Sequence, residues 1–296
     1  MTVPRSLTDT YTLNNGVKIP CIGYGTYQFK VTHEVSVDRN KHATQIGYRL
    51  FDTASFYMNE QGLGKALRAS GVPREELFIV SKVWNAEQGY ESTLAVIDES
   101  LEDLGFDYID LYLIHWPIPH GHDDDWQKLN LETWRAMEKY YREGKLRAIG
   151  VSNFLENHLQ PLMAEAEIPI MVNELEMNVG YYQSEIHKFC TSNDIRVISY
   201  SPMSGIDTVA PQLQDLCQKY GKTPAQISLR WNTQLGMIPI PRSYNYGRMQ
   251  ENIDIFDFEL TAEELDYISS IYDDTRSHNH PDTYRFPYER HFKTKI

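Results

Sequence analysis

The stretch RLFDTASFYMNE, residues 49–60, starts as a short apolar strand and runs out onto Asp52. It then breaks into small polar residues and sets a lone tyrosine, Tyr57, ahead of a helix expected from about Asn59. Packing alone gives no reason for a buried strand to end on a carboxylate followed by a phenol. Three later apolar runs end in the same manner, on Lys82, on His115 and on the Ser152/Asn153 pair. Four kinds of polar side chain at four strand ends point to one site assembled at the mouth of a parallel sheet or barrel.

Outward from this stretch the chain alternates. Strand-like runs are expected at residues 21–23, 49–52, 77–83, 108–115, 146–151, 170–175, 195–199 and 237–240. Helix-like segments lie at 33–47, 60–70, 91–104, 131–143, 155–166, 184–191 and 210–220. Continuous apolar runs such as LFIV and YIDLYLI suit parallel strands covered on both faces. Tyr11–Leu13 and Val17–Ile19 flank Asn14-Asn15-Gly16, a hairpin turn that predicts a plug for the barrel's bottom. Thr223 before Pro224, and Thr261 three residues before Glu264, are helix N-caps. The last stretch, aromatic, charged and irregular, reads as a tail lying over the surface near the mouth. No GxGxxG opens the first unit and no linker divides the chain, so a (β/α)8 TIM barrel is expected over an open doubly wound sheet. An N-terminal β-hairpin and an irregular C-terminal tail would complete one domain, residues 1–296.

A chain of 296 residues sits inside the roughly 200–400 residues such a barrel occupies. A formal charge of −13 argues against nucleic acid or an acidic membrane as partner. There is no twenty-residue apolar run and no basic-then-apolar leader, so neither a membrane span nor a secretion signal is expected. Cys21, Cys190 and Cys217 form no CxxC pair, which suits a reducing cytoplasm. The dense HGHDDD loop around His120 and His122 invites a metal, but loop histidines beside acids are usually solvated, and no metal is expected.

At a barrel mouth Asp52 can hold the charge of Lys82, and Lys82 in turn stabilises a Tyr57 phenolate, making the phenol a better general acid. His115 can donate to the same carbonyl oxygen. Tyrosine, lysine and histidine around one oxygen is equipment for polarising and protonating a carbonyl. The protein has no carbanion equivalent of its own, so a hydride-donating cofactor is expected. Ser152 and Asn153 suit an amide such as nicotinamide's, and Tyr200 offers a stacking face. Arg242, Ser243 and Arg248 near a helix start suit a phosphate. Phe56, Tyr24, Trp84 and Trp116 suit an apolar wall.

At these residues the sequence resembles the aldo-keto reductase family over essentially the whole chain. GYGTYQ, FDTASFYMNE, SKVW, IHWP, GVSNF, VNELEMN, SYSP, IPRS and RMQEN carry the resemblance, in family order. It is similar in particular to small microbial NADPH-dependent members of the diketo-gluconate reductase type. The resemblance implies an (α/β)8 barrel that binds NADP(H) without a Rossmann domain and reduces aldehydes or ketones to alcohols. By family role Asp52, Tyr57, Lys82 and His115 form the catalytic tetrad, with Tyr57 the proton donor. Ser152, Asn153 and Glu174 fall at the carboxamide, Tyr200 at the nicotinamide stack, and Ser201 among the cofactor-binding residues. Arg242, Ser243 and Arg248 fall at the adenosine 2′-phosphate, with Glu251 and Asn252 near the adenine. Tyr24, Trp84 and Trp116 fall on the substrate pocket. The resemblance leans to a monomer.

Three departures stand out. Glu174 replaces the family's usual glutamine, and an ionised carboxylate accepts hydrogen bonds but donates none. Arg242 replaces lysine, which keeps phosphate binding in a bidentate form. Asn178-Val179 replaces His-Pro. The short loop after His115 predicts an open pocket and a range of small carbonyl substrates. Two rivals remain on the same barrel. A sugar-phosphate isomerase or lyase would recruit Glu174 and Arg242 but leave Tyr57 and Lys82 idle, and a non-catalytic nucleotide-binding protein would have no need of the tetrad.

Overall fold

The Asn-Gly turn nucleates the first element. β1 (Thr10–Thr12) and β2 (Lys18–Pro20) pair antiparallel with Tyr11 opposite Ile19, and Gly16 supplies the left-handed φ of 87°. The side chains of Asn14 and Asn15 donate to the carbonyls of Ile170 and Arg147, each at 2.9 Å. Both acceptors lie in the lead-ins to later strands, so the hairpin seals the bottom of the barrel as expected. These positions come from a computed structural model, which describes residues 3–27, 33–273, 276 and 280–285.

Eight parallel strands follow in sequence order: β3 (Gly23–Gly25), β4 (Leu50–Asp52), β5 (Phe78–Val83), β6 (Leu111–Ile114), β7 (Ile149–Ser152), β8 (Val172–Glu176), β9 (Arg196–Tyr200) and β10 (Ile238–Pro239). Each pairs with the next. The Gly25 amide donates to the Pro241 carbonyl at 3.2 Å and closes the sheet on itself. A Cβ at Gly25 would stand 3.0 Å from the Ile240 carbonyl oxygen, so glycine permits the close approach at this seam. Helices α1 (His33–Gln45), α2 (Glu60–Arg68), α3 (Tyr90–Leu104), α4 (Trp126–Arg142), α5 (Glu156–Glu165), α6 (Ser184–Ser192), α7 (Ile206–Tyr220) and α8 (Pro224–Gln234) surround it, with α9 (Tyr246–Ile253) and α10 (Ala262–Ser270) after the last strand. This is the expected (β/α)8 barrel.

Boundaries differ in places. The first strand is Gly23–Gly25 and not residues 21–23, because the Cys21 amide is drawn to the Asp9 carbonyl in the hairpin. The run at 108–115 forms a ladder only over β6, preceded by one bridge between Ile109 and Leu146. Helix α4 begins at Trp126, ahead of the expected 131, and α7 at Ile206, ahead of 210. Part of the expected tail is described. Tyr284 packs its ring 5.5 Å from that of Trp116, Asp282 meets His158 at 3.0 Å, and Arg285 meets Asp123 at 2.7 Å. These partners follow β6 and β7 on the mouth side. The rest of the tail lies outside the described residues. Among the described residues no helix is long and apolar enough to cross a membrane.

One buried group on α6 gives a pH-dependent stability. His187 is buried against the Tyr182 hydroxyl, 2.7 Å from its Nδ1, and burial pushes the imidazole down from 6.5 to about 4. The unfolded chain binds a proton near pH 6.5 that the folded chain refuses. The neutral ring's contribution is therefore whole above that pH and is lost as pH falls toward 4, by up to about 3 kcal/mol. Urea unfolding of wild type should weaken over this window, and His187→Gln should flatten part of the slope. An unchanged slope would remove His187 as its source.

Candidate active site

Asp52 ends β4, Lys82 lies near the end of β5, His115 follows β6, Ser152 ends β7 with Asn153 next, Glu174 lies on β8 and Tyr200 ends β9. Parallel pairing puts all of these at one end of the barrel, where they line a cavity of about 460 Å³ together with Tyr57 and Arg242; Lys82 sits just beneath its wall. Tyr57 reaches the cavity on a single turn. The Thr53 amide extends the ladder to the Val80 carbonyl, Ser55–Tyr57 make one 3₁₀ turn, and Met58 takes a left-handed φ of 54°. Asn59 then pins the turn, donating to the Thr26 carbonyl at 2.9 Å and accepting from the Thr53 hydroxyl. Of the four non-glycine residues with positive φ among the described residues, Met58, Asn153 and Ser201 flank this mouth. Such conformations cost about 1–2 kcal/mol each, and their concentration here marks a site held against local preference.

Lys82 is fully buried. Its Nζ ion-pairs with Asp52, donates to the Thr53 carbonyl at 3.0 Å and lies 3.3 Å from Glu174 Oε1. Burial pulls the ammonium's affinity for its proton down, but Asp52, with the Glu174 carboxyl beside it, more than offsets this and holds it charged, with its pKa raised. It stands 5.3 Å from the centroid of the Tyr57 ring, and the His115 ring is 5.7 Å from the same ring. Lys82 draws the Tyr57 phenol toward stronger acidity, as expected, but against a larger opposing effect of burial. Burial pushes the phenol up, Asp52 and Glu174 push the same way, and the lowering by Lys82 does not overcome them. Tyr57 therefore remains a protonated phenol throughout the physiological range, and Lys82 acts on the phenolate that forms when the proton leaves.

On the other side, the Ser152 hydroxyl donates to the Glu174 carbonyl at 3.0 Å, and the Asn153 amide donates to the His115 carbonyl at 3.0 Å. The Tyr200 hydroxyl donates to Asn153 Oδ1 at 2.8 Å, so these side chains hold one another in place. Glu174 Oε2 is buried at the cavity wall with no hydrogen-bond partner among the described residues. An amide N–H is the donor it suits. Ser201 also lines the cavity. The wall opposite is aromatic. Phe56 stacks on Trp84 at 3.9 Å, the Trp84 ring stands 5.1 Å from that of His115, and Trp116 lies beside them.

Arg242 is exposed at the cavity rim, where it donates to the Tyr27 carbonyl at 2.6 Å. Ser243 and Arg248 follow at the start of α9, whose N-cap is Asn245, accepting from the Arg248 amide at 3.1 Å. Arg248 is exposed. Glu251 is tied to the Thr223 hydroxyl at 2.6 Å, and Asn252 is buried on the same helix. Two guanidiniums and a helix N-terminus within one exposed turn are chemically suited to a phosphate.

Tyr24 does not line the cavity. Strand alternation turns its ring into the layer between barrel and helices, 5.5 Å from Tyr48 and 6.2 Å from Phe51, and its hydroxyl donates to the Ser243 carbonyl. Tyr27, two residues past β3, takes the wall position, its ring 4.7 Å from Tyr57. The second aromatic of GYGTYQ was the signal for it. Sequence reasoning also missed Met203 and Ser204, carried to the rim by the turn after Tyr200, and exposed Tyr244, over which Arg39 lies at 4.4 Å. Aromatics between the arginines of PRSYNYGR were the sign of the latter. In the HGHDDD loop His122 pairs with Asp125, while Asp123 is held by Arg285; among the described residues no three metal-binding side chains come together.

The sequence profile of the Aldo/keto reductase family matches residues 21–273. A glyoxal reductase of Bacillus subtilis is 45% identical over 285 residues, covering 96% of this chain and all of the relative. A crystal structure of an aldo/keto reductase from Brucella melitensis is 41% identical and superposes with a TM-score of 0.83, covering 91% of this chain and 100% of that one. An aldo-keto reductase of Bombyx mori solved in complex with NADP is 35% identical, with a TM-score of 0.82 over 90% of this chain and 93% of that one. The fold, the mouth geometry and these matches agree that the chain belongs to the aldo/keto reductase family and is an oxidoreductase of carbonyl compounds.

Proposed function

We propose that this protein reduces the carbonyl of small aldehydes and ketones, 2-oxoaldehydes such as glyoxal among them, with NADPH as reductant and Tyr57 as general acid. The observation that carries it is the convergence of Tyr57 and His115 on one cavity, with Lys82 and Asp52 paired directly behind Tyr57. Ser152, Asn153, Glu174 and Tyr200 would hold the nicotinamide end of the cofactor, and Arg242, Ser243 and Arg248 its phosphate, with Glu251 and Asn252 near the adenine. The free Glu174 Oε2 and the exposed arginines fit that use. When bound, NADPH supplies the hydride that the carbonyl carbon accepts. Tyr57 and His115 hydrogen-bond the carbonyl oxygen and orient it. Tyr57 then gives its proton to that oxygen, and the Lys82 ammonium stabilises the phenolate left behind. Asp52 keeps Lys82 charged and in place. Trp84, Trp116, Phe56 and Tyr27 limit water around the reacting atoms. Three free thiols support a cytoplasmic protein, the −13 charge speaks against a nucleic-acid partner, and one family match over residues 21–273 supports a single domain, for which the family resemblance leans to a monomer.

The test is a panel of 2-oxoaldehydes, simple aldehydes and ketones with NADPH, with NADH as control. Turnover of small carbonyls with NADPH is expected. Binding of NADPH, read by tryptophan quenching, without turnover on any of them would instead favour a nucleotide-binding barrel. Arg248→Ala should raise KM for NADPH by roughly 10–100-fold, the worth of one charge-assisted phosphate contact, and leave KM for NADH nearly unchanged. Equal losses with both cofactors would show that Arg248 does not read the phosphate.

A further inference from the structure

Two carboxyl groups, Asp52 and Glu174, close on one ammonium, Lys82, and all three are buried: Lys82 fully, the carboxyls to within a few per cent. If both acids were ionised, this desolvated cluster would carry a net negative charge, an arrangement that buried sites avoid by retaining a proton. Asp52 makes the closer contact with Lys82, and Glu174 stands at 3.3 Å. The anion therefore belongs on Asp52 and the proton on Glu174. We propose that Glu174 is a positioning residue that works as a neutral carboxylic acid, sharing its proton with Asp52 behind Lys82, and that this neutrality keeps the nicotinamide end of the pocket from favouring the cationic, oxidised cofactor over the reduced one. Burial, then the neighbouring Asp52, push Glu174 well up from the usual carboxylate range, against Lys82; burial also raises Asp52, but there Lys82 is the foremost opposing influence. The other titratable groups facing it are Tyr57 from the turn after β4 and Tyr200 from β9; beyond them His115, after β6, stands against Tyr57, and Glu176, farther along β8, acts on Tyr200. Burial holds both tyrosines as neutral phenols. Loss of the Glu174 proton would thus place an uncompensated carboxylate at the wall where its Oε2 has no partner among the described residues. The oxidised nicotinamide ring is cationic and the reduced ring neutral, so that carboxylate would discriminate between them.

This inference rests on the cofactor reading above, and the experiment separates the two. Infrared spectra of the protein without cofactor, prepared with isotope-labelled glutamate carboxyls, are compared for wild type, Glu174→Gln and Glu174→Ala. At neutral pH wild type should show a glutamic-acid C=O band that shifts with the label and is missing from both variants. A Glu174 seen only as carboxylate overturns the proposal, whatever the pocket binds. Tryptophan quenching then gives the ratio of affinities for NADP+ and NADPH as pH is raised. Wherever the acid band is intact, wild type should match the ratio of Glu174→Gln. As the band disappears, the wild-type ratio should move toward NADP+ by about tenfold, while Glu174→Gln stays flat. A shifted ratio with the band intact, or an unmoved ratio once it is gone, overturns the link to the cofactor. If neither protein binds NADP(H), the cofactor reading of the pocket fails, and the proton on Glu174 is still decided by the infrared band.

Discussion

Tyr57→Phe is expected to lower kcat for NADPH-dependent carbonyl reduction by roughly 10²–10⁴-fold, the contribution of a positioned general acid, with little change in NADPH affinity. The substitution removes one oxygen and leaves the ring, so the contacts with the rings of Tyr27 at 4.7 Å and His115 at 5.7 Å persist. The fold of the mouth should survive for the same reason, because Asn59 and Thr53, not the phenol, pin the turn. The loss should fall on kcat and kcat/KM together, as befits an interaction that matters when the proton moves. Burial keeps the wild-type phenol protonated, so wild-type reduction should hold level through neutral and mildly alkaline pH. Alcohol oxidation, which needs the phenolate, should rise with pH over the same range. Single-turnover rates with a small aldehyde measure the effect, and unchanged turnover in the variant would end the assignment of Tyr57.

The barrel was legible because burial on both faces writes itself as uninterrupted apolar runs, and because four of those runs end on polar groups that packing does not want. Helix starts were legible where a side chain caps them. Thr223 and Thr261 each accept the amide three residues on, and α8 and α10 begin where expected. Helix α4 starts at Trp126 with no capping contact to mark it, since the Asp125 side chain at its N-cap does not cap it and pairs with His122 instead. Helix α7 follows left-handed Gly205, which offers no side chain to read. Tyr24 and Tyr27 show a different limit. A motif gives the aromatics, but which of them faces the cavity depends on where β3 ends. The meeting of Asp52 and Glu174 was beyond any local pattern. They sit on β4 and β8, separated by three strands in the sheet, and only closure of the barrel brings both to Lys82.

That closure makes Lys82→Met the more disruptive change. Turnover should fall at least as far as in Tyr57→Phe, because the phenolate left by proton donation would form beside carboxyls with no cation to stabilise it. Stability should fall as well. Removing one partner of a buried ion pair costs roughly 3–5 kcal/mol when it strands the opposite charge, and here the Asp52 carboxylate is stranded beside Glu174, both of them almost fully buried. Burial already raises both carboxyls in wild type, and without Lys82 the Asp52 carboxyl rises further above its range in the unfolded chain, so folding of the variant binds an additional proton. The destabilisation is therefore greatest at neutral pH and shrinks as the pH falls and Asp52 becomes neutral as well. Urea unfolding at neutral and mildly acidic pH should show the loss and its partial recovery, and Lys82→Met combined with Asp52→Asn should recover stability at neutral pH without recovering activity. A Lys82→Met protein as stable as wild type at neutral pH would mean that the cluster carries no net charge for Lys82 to balance.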